Sequence, residues 1–160
     1  MKINLLVLDI DGVLTDGKLI INTQNNEYKS INFRDLDAIA ELRNNGLELA
    51  LLTGEDTPFV NVIATRFGIT RIIKGEKDKR RGLTTLSDSL QIPLSTICYI
   101  GDSDRDAEAL KVCGLAIVPQ DATKKAKESA SVILKTKGGD GVVHEALEYL
   151  IANVHLSIRE

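Results

Sequence analysis

The sequence lacks three features that would each point to a particular class of protein. It has no run of about 18 apolar residues, the length of a membrane-spanning helix, so we expect no membrane span. It has no excess of positive charge, since the formal net charge is −3, and we therefore expect neither nucleic acid nor an anionic membrane as a partner. It also lacks a secretory signal, because its first apolar run is short and no small-residue cleavage site follows, which predicts a cytoplasmic protein.

Cysteine is scarce as well. The two cysteines, Cys98 and Cys113, lie in or beside apolar segments, which predicts free thiols rather than a disulfide or a metal pair. No linker, repeat or low-complexity tract interrupts the 160 residues, and apolar (43%) and charged (27%) residues occur in ordinary globular proportions. Because this length supports one hydrophobic core, we expect a single domain over residues 1–160.

What the sequence does contain is a regular alternation of strand-like and helix-like segments. Its short, continuously apolar runs are typical of strands that helices bury on both faces. Helical spacing is clearest where Val60, Ile63, Ala64 and Phe67 recur at i, i+3, i+4 and i+7. The alternation predicts an α/β fold with a doubly wound, Rossmann-like parallel sheet. The predicted strands are Leu5–Leu8, Glu48–Leu52, Ile97–Ile100 and Leu115–Val118, with shorter ones near Ile72 and at 132–134. The predicted helices include 79–90, 106–112 and 142–154. We expect His155, which follows the last of these helices, to lie at the surface.

One stretch interrupts this alternation. Residues 18–21 and 28–33 flank a polar turn at residues 23–26. Two strand-like runs joined by a short polar turn are typical of a β-hairpin, and we expect one to be inserted after the first strand.

Carboxylates and a threonine stand where three of the predicted strands end. Asp9 and Asp11 follow the first strand, Thr53 follows the strand at residues 48–52, and Asp102 and Asp106 follow the strand at residues 97–100. Ligands bind at the carboxyl ends of such strands, so we expect these side chains to converge. Each pair of like charges about 4 Å apart costs roughly 4 kcal/mol at an effective dielectric constant near 20, which a divalent cation would relieve. Oxygen ligands without a His or Cys cluster favour Mg²⁺, and Mg²⁺ usually shares its site with a phosphate.

The spacing of Asp9 and Asp11 indicates that the two carboxylates have different catalytic roles. In a strand that continued past Asp9, residues i and i+2 would share a face and aim both carboxylates at one point. One can attack phosphorus, and the other can protonate the leaving alkoxide and then activate water. Gly12 permits a turn and a close approach to phosphate, and Thr53 offers a hydroxyl and a backbone N–H to the phosphoryl oxygens, unless it caps the next helix instead. Because charge spreads over three equatorial oxygens of the transferring phosphoryl group, the reaction would also need a cation on the side opposite the metal.

These residues resemble the haloacid dehalogenase superfamily of phosphatases, and the resemblance extends over nearly the whole chain. The lysine of that family is assigned to Lys79, because Lys79 stands at the start of a predicted helix, with Lys77 as the alternative. The matching motifs are Asp9-Ile10-Asp11-Gly12-Val13, Thr53-Gly54, this lysine, and Gly101-Asp102 with Asp106.

The resemblance implies a role for each of these positions. Asp9 would be the nucleophile and Asp11 the acid/base, Lys79 and Gly54 would contact the phosphate, and Gly12 would lie close to it. Magnesium would be held by an Asp9 oxygen, the Asp11 main-chain carbonyl and Asp102, with Asp106 supporting the site from near by.

The intervals between motifs are too short for a cap domain, so the chain resembles a capless branch of the family. That branch removes phosphate from 3-deoxy sugar acids, either octulosonate 8-phosphate or nonulosonate 9-phosphates. Its members are homotetramers in which a neighbouring subunit closes the site, as an open site would require. The shared residues are the run from Asp11 to Gly17, Phe33-Arg34-Asp35, and Gly138-Gly139-Asp140-Gly141, which we expect to form a loop near the active site.

Two positions depart from the pattern of that branch. Leu36 stands where Gly follows the Arg34-Asp35 pair, and His144 stands where the branch has an arginine. Both places are associated with substrate contact, so the identity of the sugar stays open, and Arg34 is either a substrate contact or part of a structural ion pair. Glu55, after Thr53-Gly54, is more like the nonulosonate type. Other hypotheses are a phosphatase of another small metabolite, a phosphorylated receiver domain and a non-catalytic module.

Overall fold

A computed structural model describes residues 2–153. Its centre is a six-stranded sheet in which every neighbouring pair is parallel, in the order β5-β4-β1-β6-β7-β8. These strands are β1 (Leu5–Leu8), β4 (Glu48–Leu52), β5 (Arg71–Ile73), β6 (Ile97–Ile100), β7 (Leu115–Val118) and β8 (Val132–Ile133), and β2 (Ile20–Ile21) and β3 (Glu27–Tyr28) form a separate hairpin. The helices are α1 (Phe33–Asn44), α2 (Pro58–Phe67), α3 (Lys79–Leu90), α4 (Ala107–Val112), α5 (Lys124–Glu128) and α6 (Val142–Ala152).

Helices cover both faces of the sheet, which confirms the doubly wound architecture. Alternate residues of β1 enter two separate hydrophobic clusters: Leu6 and Leu8 pack with α1, α2 and α6, whereas Leu5 and Val7 pack with α3, α4 and α5. Because both faces are buried, each position of the strand must be apolar, which explains the continuous run in the sequence. The described residues contain no cap domain, and none of their helices is both long and apolar enough to cross a membrane.

The hairpin is present, but its strands are shorter than expected. Ile20 pairs with Tyr28 and Ile21 with Glu27 in antiparallel register. The predicted second strand, 28–33, is wrong beyond Tyr28, because Asn32 caps helix α1, its side chain accepting a hydrogen bond from the Arg34 N–H. An N-cap of this kind starts the helix at Phe33 rather than extending the strand.

Other element boundaries differ by one or two residues. Strand β8 ends one residue before the predicted 134, and helix α4 begins after Asp106, which stands at its N-cap position. Helix α6 ends at Ala152, before the predicted residue 154, and Val154 and His155 lie outside the described residues.

Asp35 joins α1 to the start of α6. Its buried carboxylate accepts hydrogen bonds from the N–H groups of Val143 (2.8 Å) and His144 (3.1 Å), so a residue more than a hundred positions away caps this helix. The second oxygen of Asp35 is buried without a hydrogen-bond partner among the described residues. Burial raises the pKa of the Asp35 carboxyl from its ordinary 3.8 to about 6, although the two N–H donors oppose the shift.

This raised pKa predicts how stability depends on pH. The folded state holds the Asp35 proton more tightly than the unfolded state, so stability falls as pH rises from about 4 to 6, by up to about 3 kcal/mol. Asp35→Asn keeps an acceptor for the helix and removes the buried charge. We therefore expect the free energy of unfolding of Asp35→Asn, relative to wild type, to increase between about pH 4 and pH 8.

Urea denaturation at several pH values measures this difference. Asp37→Asn, at an exposed position on the same helix, is the matched control and should show no comparable trend. If the difference in unfolding free energy between Asp35→Asn and wild type does not change with pH, the buried Asp35 carboxylate is not the cause of the pH dependence.

Candidate active site

The carboxyl ends of three neighbouring strands, β1, β4 and β6, surround a pocket of about 440 Å³. Six residues singled out from the sequence line this pocket: Asp9, Asp11, Thr53, Gly54, Lys79 and Asp102. Parallel strands whose ends lie at one edge of the sheet bring these distant residues together.

Asp9 lies at the bottom of the pocket, directly after β1. Its N–H donates to the Ile100 carbonyl at 3.0 Å, which ties it to the end of β6. One carboxylate oxygen accepts from the Ile10 N–H at 2.8 Å, and the other lies 2.8 Å from the Lys79 Nζ. Burial raises the pKa of the Asp9 carboxyl to about 6, even though the Lys79 charge lowers it. The carboxylate is thus desolvated, oriented on both oxygens, and still ionised at neutral pH.

Lys79 is the buried cation of the site. It begins α3, whose N-cap Asp78 accepts a hydrogen bond from the Arg81 N–H. Besides Asp9, its Nζ contacts the Leu52 carbonyl at 3.1 Å and Asp106 at 3.2 Å. Burial alone would lower the pKa of Lys79, but the two carboxylates outweigh it and the pKa is raised. Lys77, the alternative, is exposed and does not line the pocket.

Asp106 is fully buried and organises the loop after β6. One oxygen accepts from the Tyr99 hydroxyl at 2.5 Å, and the other accepts from the Ser103 N–H (2.9 Å), the Ser103 hydroxyl (2.8 Å) and the Asp102 N–H (3.0 Å). Burial opposes ionisation, but Lys79 and these donors lower the pKa of Asp106. Because donors of the protein already engage both oxygens, Asp106 is suited to positioning Asp102 rather than to direct metal ligation.

Asp102 and Asp9 form the most acidic part of the pocket. Oxygens of Asp9, Asp102 and Asp106 lie within 4.8 Å of one another, a spacing that fits a bound cation. Burial, followed by the charges of Asp9 and Asp106, raises the pKa of Asp102 to about 7. A hard divalent cation with oxygen ligands would remove this repulsion, so the donor set fits Mg²⁺.

The haloacid dehalogenase-like hydrolase family matches residues 55–145. The 3-deoxy-D-manno-octulosonate 8-phosphate phosphatase of Yersinia pestis is 31% identical over 150 residues, which are 94% of this chain and 80% of that protein. The corresponding phosphatase of Escherichia coli strain K12 is 30% identical over the same shares of the two chains. The chain belongs to the haloacid dehalogenase-like hydrolase family.

Solved structures of this hydrolase family confirm the fold. The 3-deoxy-D-manno-octulosonate 8-phosphate phosphatase of Moraxella catarrhalis, in complex with magnesium ion, phosphate ion and a KDO molecule, superposes with a TM-score of 0.91 at 32% identity, covering 96% of this chain and 89% of that one. The cobalt-bound phosphatase from Haemophilus influenzae gives a TM-score of 0.89 at 28% identity, covering 94% and 88%. The enzyme class supported by these relatives is a phosphoric monoester hydrolase.

The Asp9–Asp11 segment of this hydrolase reaches the pocket by a different route from the one expected. Strand β1 ends at Leu8 and does not continue through Asp11. The Ile10 carbonyl instead accepts from the N–H groups of Val13, Leu14 and Thr15, so the chain turns tightly. The expectation that an extended strand aligns both carboxylates is wrong, although both side chains line the pocket.

Gly12 and the 138–141 loop stabilise this turn. Gly12 has φ +83°, and a Cβ there would overlap the Asp102 carboxylate, so Gly12 leaves room for Asp102 and does not itself line the pocket. Gly138 packs on the Gly12 backbone, and the Gly139 N–H donates to the Val13 carbonyl at 3.0 Å. The 138–141 loop therefore lies near the active site, as expected, and contacts the backbone of the turn at residues 12–13 rather than lining the pocket.

Thr53 differs in one respect from its expected role. Its N–H donates to the Ile73 carbonyl at 2.9 Å and cannot also serve a phosphate, and its hydroxyl accepts from the Glu55 N–H. The N–H of Gly54, a residue that lines the pocket, has no acceptor among the described residues. Thr53 does not cap a helix either, because α2 begins at Pro58 behind Thr57.

None of the three positions expected to contact the sugar lines the pocket. Arg34 is exposed, does not line the pocket, and forms no side-chain ion pair among residues 2–153. His144 faces Glu148 at 3.6 Å, and Leu36 packs against the hydrophobic cluster under α1. Arg34 therefore takes part in no ion pair among the described residues, and its contact with the substrate stays a prediction.

Lys29 is a residue that the sequence did not single out. It follows β3 of the hairpin, lies 5.0 Å over the Phe59 ring, and its Nζ donates to both oxygens of Asp11 at 2.9 Å. The Thr15 hydroxyl donates to the same carboxylate at 3.1 Å. The side chain of Lys29 is only 11% exposed, so the hairpin holds Asp11 through a largely desolvated ion pair.

We expect Lys29→Met to lower kcat by about 10- to 100-fold, because Asp11 loses the partner that fixes its orientation. Lys29→Arg should recover part of this loss. Lys18→Met, at an 81% exposed side chain of the same segment, is the control for changes of charge. Steady-state kinetics give the comparison, and a kcat for Lys29→Met equal to that of Lys18→Met would contradict the role of the ion pair.

Proposed function

We propose that the protein is a Mg²⁺-dependent phosphomonoesterase that releases phosphate from a phosphorylated 3-deoxy sugar acid through an aspartyl-phosphate on Asp9. One observation carries the proposal: a buried carboxylate stands at the carboxyl end of β1, 2.8 Å from Lys79 and beside Asp102. A carboxylate held in this way is a suitable nucleophile toward phosphorus.

In the proposed first step, an Asp9 oxygen forms a bond to phosphorus and the bond between phosphorus and the sugar oxygen breaks. Asp11 gives its proton to that oxygen, so the sugar leaves as an alcohol. Because Lys29 binds ionised Asp11, this contact must loosen when Asp11 carries a proton. In the second step Asp11 takes a proton from water, the water oxygen attacks phosphorus, and Asp9 is regenerated as phosphate leaves.

The remaining polar groups would bind the transferring phosphoryl group. They are the Lys79 ammonium, beside Asp9, and the Gly54 N–H and Thr53 hydroxyl, which follow the neighbouring strand β4. We assign the Mg²⁺ to Asp9, Asp102 and the Asp11 carbonyl, with Asp106 as the residue that positions Asp102. When bound, this ion would neutralise charge on the phosphoryl oxygens.

The substrate class is supported by the relatives. Enzymes that are about 30% identical over 94% of this chain are named for 3-deoxy-D-manno-octulosonate 8-phosphate, and one structural neighbour contains KDO with magnesium and phosphate. We propose octulosonate 8-phosphate as the substrate, with a nonulosonate 9-phosphate as the alternative that Glu55 suggests.

Phosphate release from a panel of substrates tests this function. The panel contains octulosonate 8-phosphate, a nonulosonate 9-phosphate, hexose phosphates and nucleotides, each with Mg²⁺ and with a chelator. We expect Mg²⁺-dependent release that is fastest for one of the two 3-deoxy sugar acids. Faster release from a hexose phosphate or a nucleotide would favour a phosphatase of another metabolite, and no release at all would favour a non-catalytic module.

We further propose a homotetramer in which a neighbouring subunit covers the pocket. Support comes from apolar side chains of the hairpin and the segment after it, which are exposed in the single chain: Leu19, Ile20 (66%), Ile21, Tyr28 and Phe33 (70%). Adjacent exposed apolar side chains of this kind mark interaction surfaces. We expect Ile20→Asp to lower the mass measured by light scattering, whereas Val62→Asp, at a 63% exposed position on α2, should not. A monomeric wild type would contradict the proposal.

We propose that residues 1–160 act as one domain in the cytoplasm. The thiols of Cys98 and Cys113 are unpaired, which fits a reducing compartment.

A further inference from the structure

The pocket contains one cation that the proposed mechanism does not use. Two basic side chains line it, Lys79 and Arg105. Lys79 is engaged by Asp9, Asp106 and the Leu52 carbonyl. Arg105 is exposed, and its guanidinium forms no hydrogen bond or ion pair with any residue between 2 and 153.

The backbone around Arg105 is well fixed. Asp106 accepts from the N–H groups of Asp102 and Ser103, and its own N–H donates to the Ser103 carbonyl at 3.0 Å. The same loop carries Asp102 and is held by Tyr99 through Asp106. Arg105 therefore projects from a rigid loop, and only its side chain needs to adapt to a ligand.

The side chain extends from the end of β6 toward the end of β4. Its Nη1 lies 3.9 Å from the point where a Cβ on Gly54 would stand. The guanidinium thus lies beside Gly54, and both residues line the pocket.

The charges around the pocket indicate what Arg105 would bind. Apart from Lys79 and Arg105, the titratable side chains that line the pocket are acidic, among them Glu55 and Asp104. A substrate that carries a carboxylate in addition to its phosphate would meet this negative rim unless a cation offset it. The phosphate would be bound by Lys79, the Gly54 N–H and the proposed metal. Arg105 is exposed, so it is placed to contact the end of the substrate farthest from the phosphate.

We propose that Arg105 is a specificity-determining residue that binds the carboxylate of the sugar-acid substrate. A guanidinium presents paired N–H donors whose geometry matches a carboxylate, and a lysine at this position would bind it only as a point charge. This inference rests on the proposed function and adds to it the residue that distinguishes a sugar-acid phosphate from a neutral sugar phosphate.

The test compares octulosonate 8-phosphate with p-nitrophenyl phosphate, which has no carboxylate. For Arg105→Ala we expect the KM of the sugar acid to rise by about 10- to 100-fold, the loss of a charged hydrogen-bonded pair, with little change in kcat. The kcat/KM for p-nitrophenyl phosphate should stay within about threefold of wild type. Arg105→Lys should be intermediate, and Arg66→Ala, at an exposed arginine on α2, should resemble wild type on both substrates.

Two results would overturn the assignment. An unchanged KM for the sugar acid in Arg105→Ala would mean that Arg105 does not contact it, and an equal loss on both substrates would mean that Arg105 binds the phosphate. Failure of the wild-type enzyme to hydrolyse any 3-deoxy sugar-acid phosphate contradicts the proposed function itself, and it is seen before any variant is compared.

Discussion

Asp9→Asn is expected to lower Mg²⁺-dependent phosphate release by at least about 10⁴-fold, the scale seen when a catalytic nucleophile is removed. The amide has the same shape as the carboxylate and can accept from the Ile10 N–H, but it cannot form the bond to phosphorus. The effect should appear in kcat, because binding of the phosphoryl group depends on Lys79 and Gly54 as well. Initial rates with octulosonate 8-phosphate and with p-nitrophenyl phosphate measure it.

The fold of Asp9→Asn should be retained. Lys79 keeps its contacts with Asp106 and the Leu52 carbonyl, and the repulsion between Asp9 and Asp102 disappears. Circular dichroism and cooperative thermal unfolding verify this. Turnover by a folded Asp9→Asn protein within about tenfold of wild type would be incompatible with Asp9 as the nucleophile.

Lys79→Met is expected to reduce both activity and stability. The ammonium lies between the buried carboxylates of Asp9 and Asp106, and its removal leaves two uncompensated charges in a desolvated place. Breaking a buried pair on one side costs about 3–5 kcal/mol of unfolding free energy. Loss of a preorganised cation at the transferring phosphoryl group should lower kcat by about 10²- to 10³-fold.

Lys77→Met separates these effects from a general change in charge. Lys77 lies two residues earlier, is exposed, and was the alternative assignment for the phosphate-binding lysine. We expect its stability in urea and its kcat to match those of wild type. A larger loss of activity in Lys77→Met than in Lys79→Met would reverse the assignment of the two lysines.

The sequence was sufficient for the central sheet and for several of the residues that line the pocket. Strands buried on both faces must be continuously apolar, so β1, β4, β6 and β7 are visible as short runs, and the residue that follows such a run lies at the edge where ligands bind. Asp9, Thr53 and Asp102 could be identified for this reason alone. Lys79 needed the family resemblance, because a lysine at a helix start has no distinctive pattern.

Contacts made only in the tertiary structure could not be predicted. Lys29 meets Asp11 because the chain after β3 approaches the turn that follows β1, and nothing in the residues around Lys29 indicates that approach. The Asp35 carboxylate caps a helix that begins more than a hundred residues later, so the sequence showed Asp35 only as part of the Phe33-Arg34-Asp35 motif. The sequence does not show that β4 pairs with β5. This pairing places the Ile73 carbonyl beside the Thr53 N–H, which the sequence analysis had assigned to phosphate.

The most direct test of the account is to trap the phosphoryl group on Asp9. Asp11→Asn lacks the base for the second step, and p-nitrophenyl phosphate has a leaving group that needs little protonation, so the covalent intermediate should accumulate. Intact-mass and peptide mass spectrometry after rapid quenching should show one phosphoryl group per chain, on Asp9, only when Mg²⁺ is present, and none in the Asp9→Asn/Asp11→Asn double variant. A phosphoryl group on another residue, or none at all while the wild-type enzyme turns over, would contradict it.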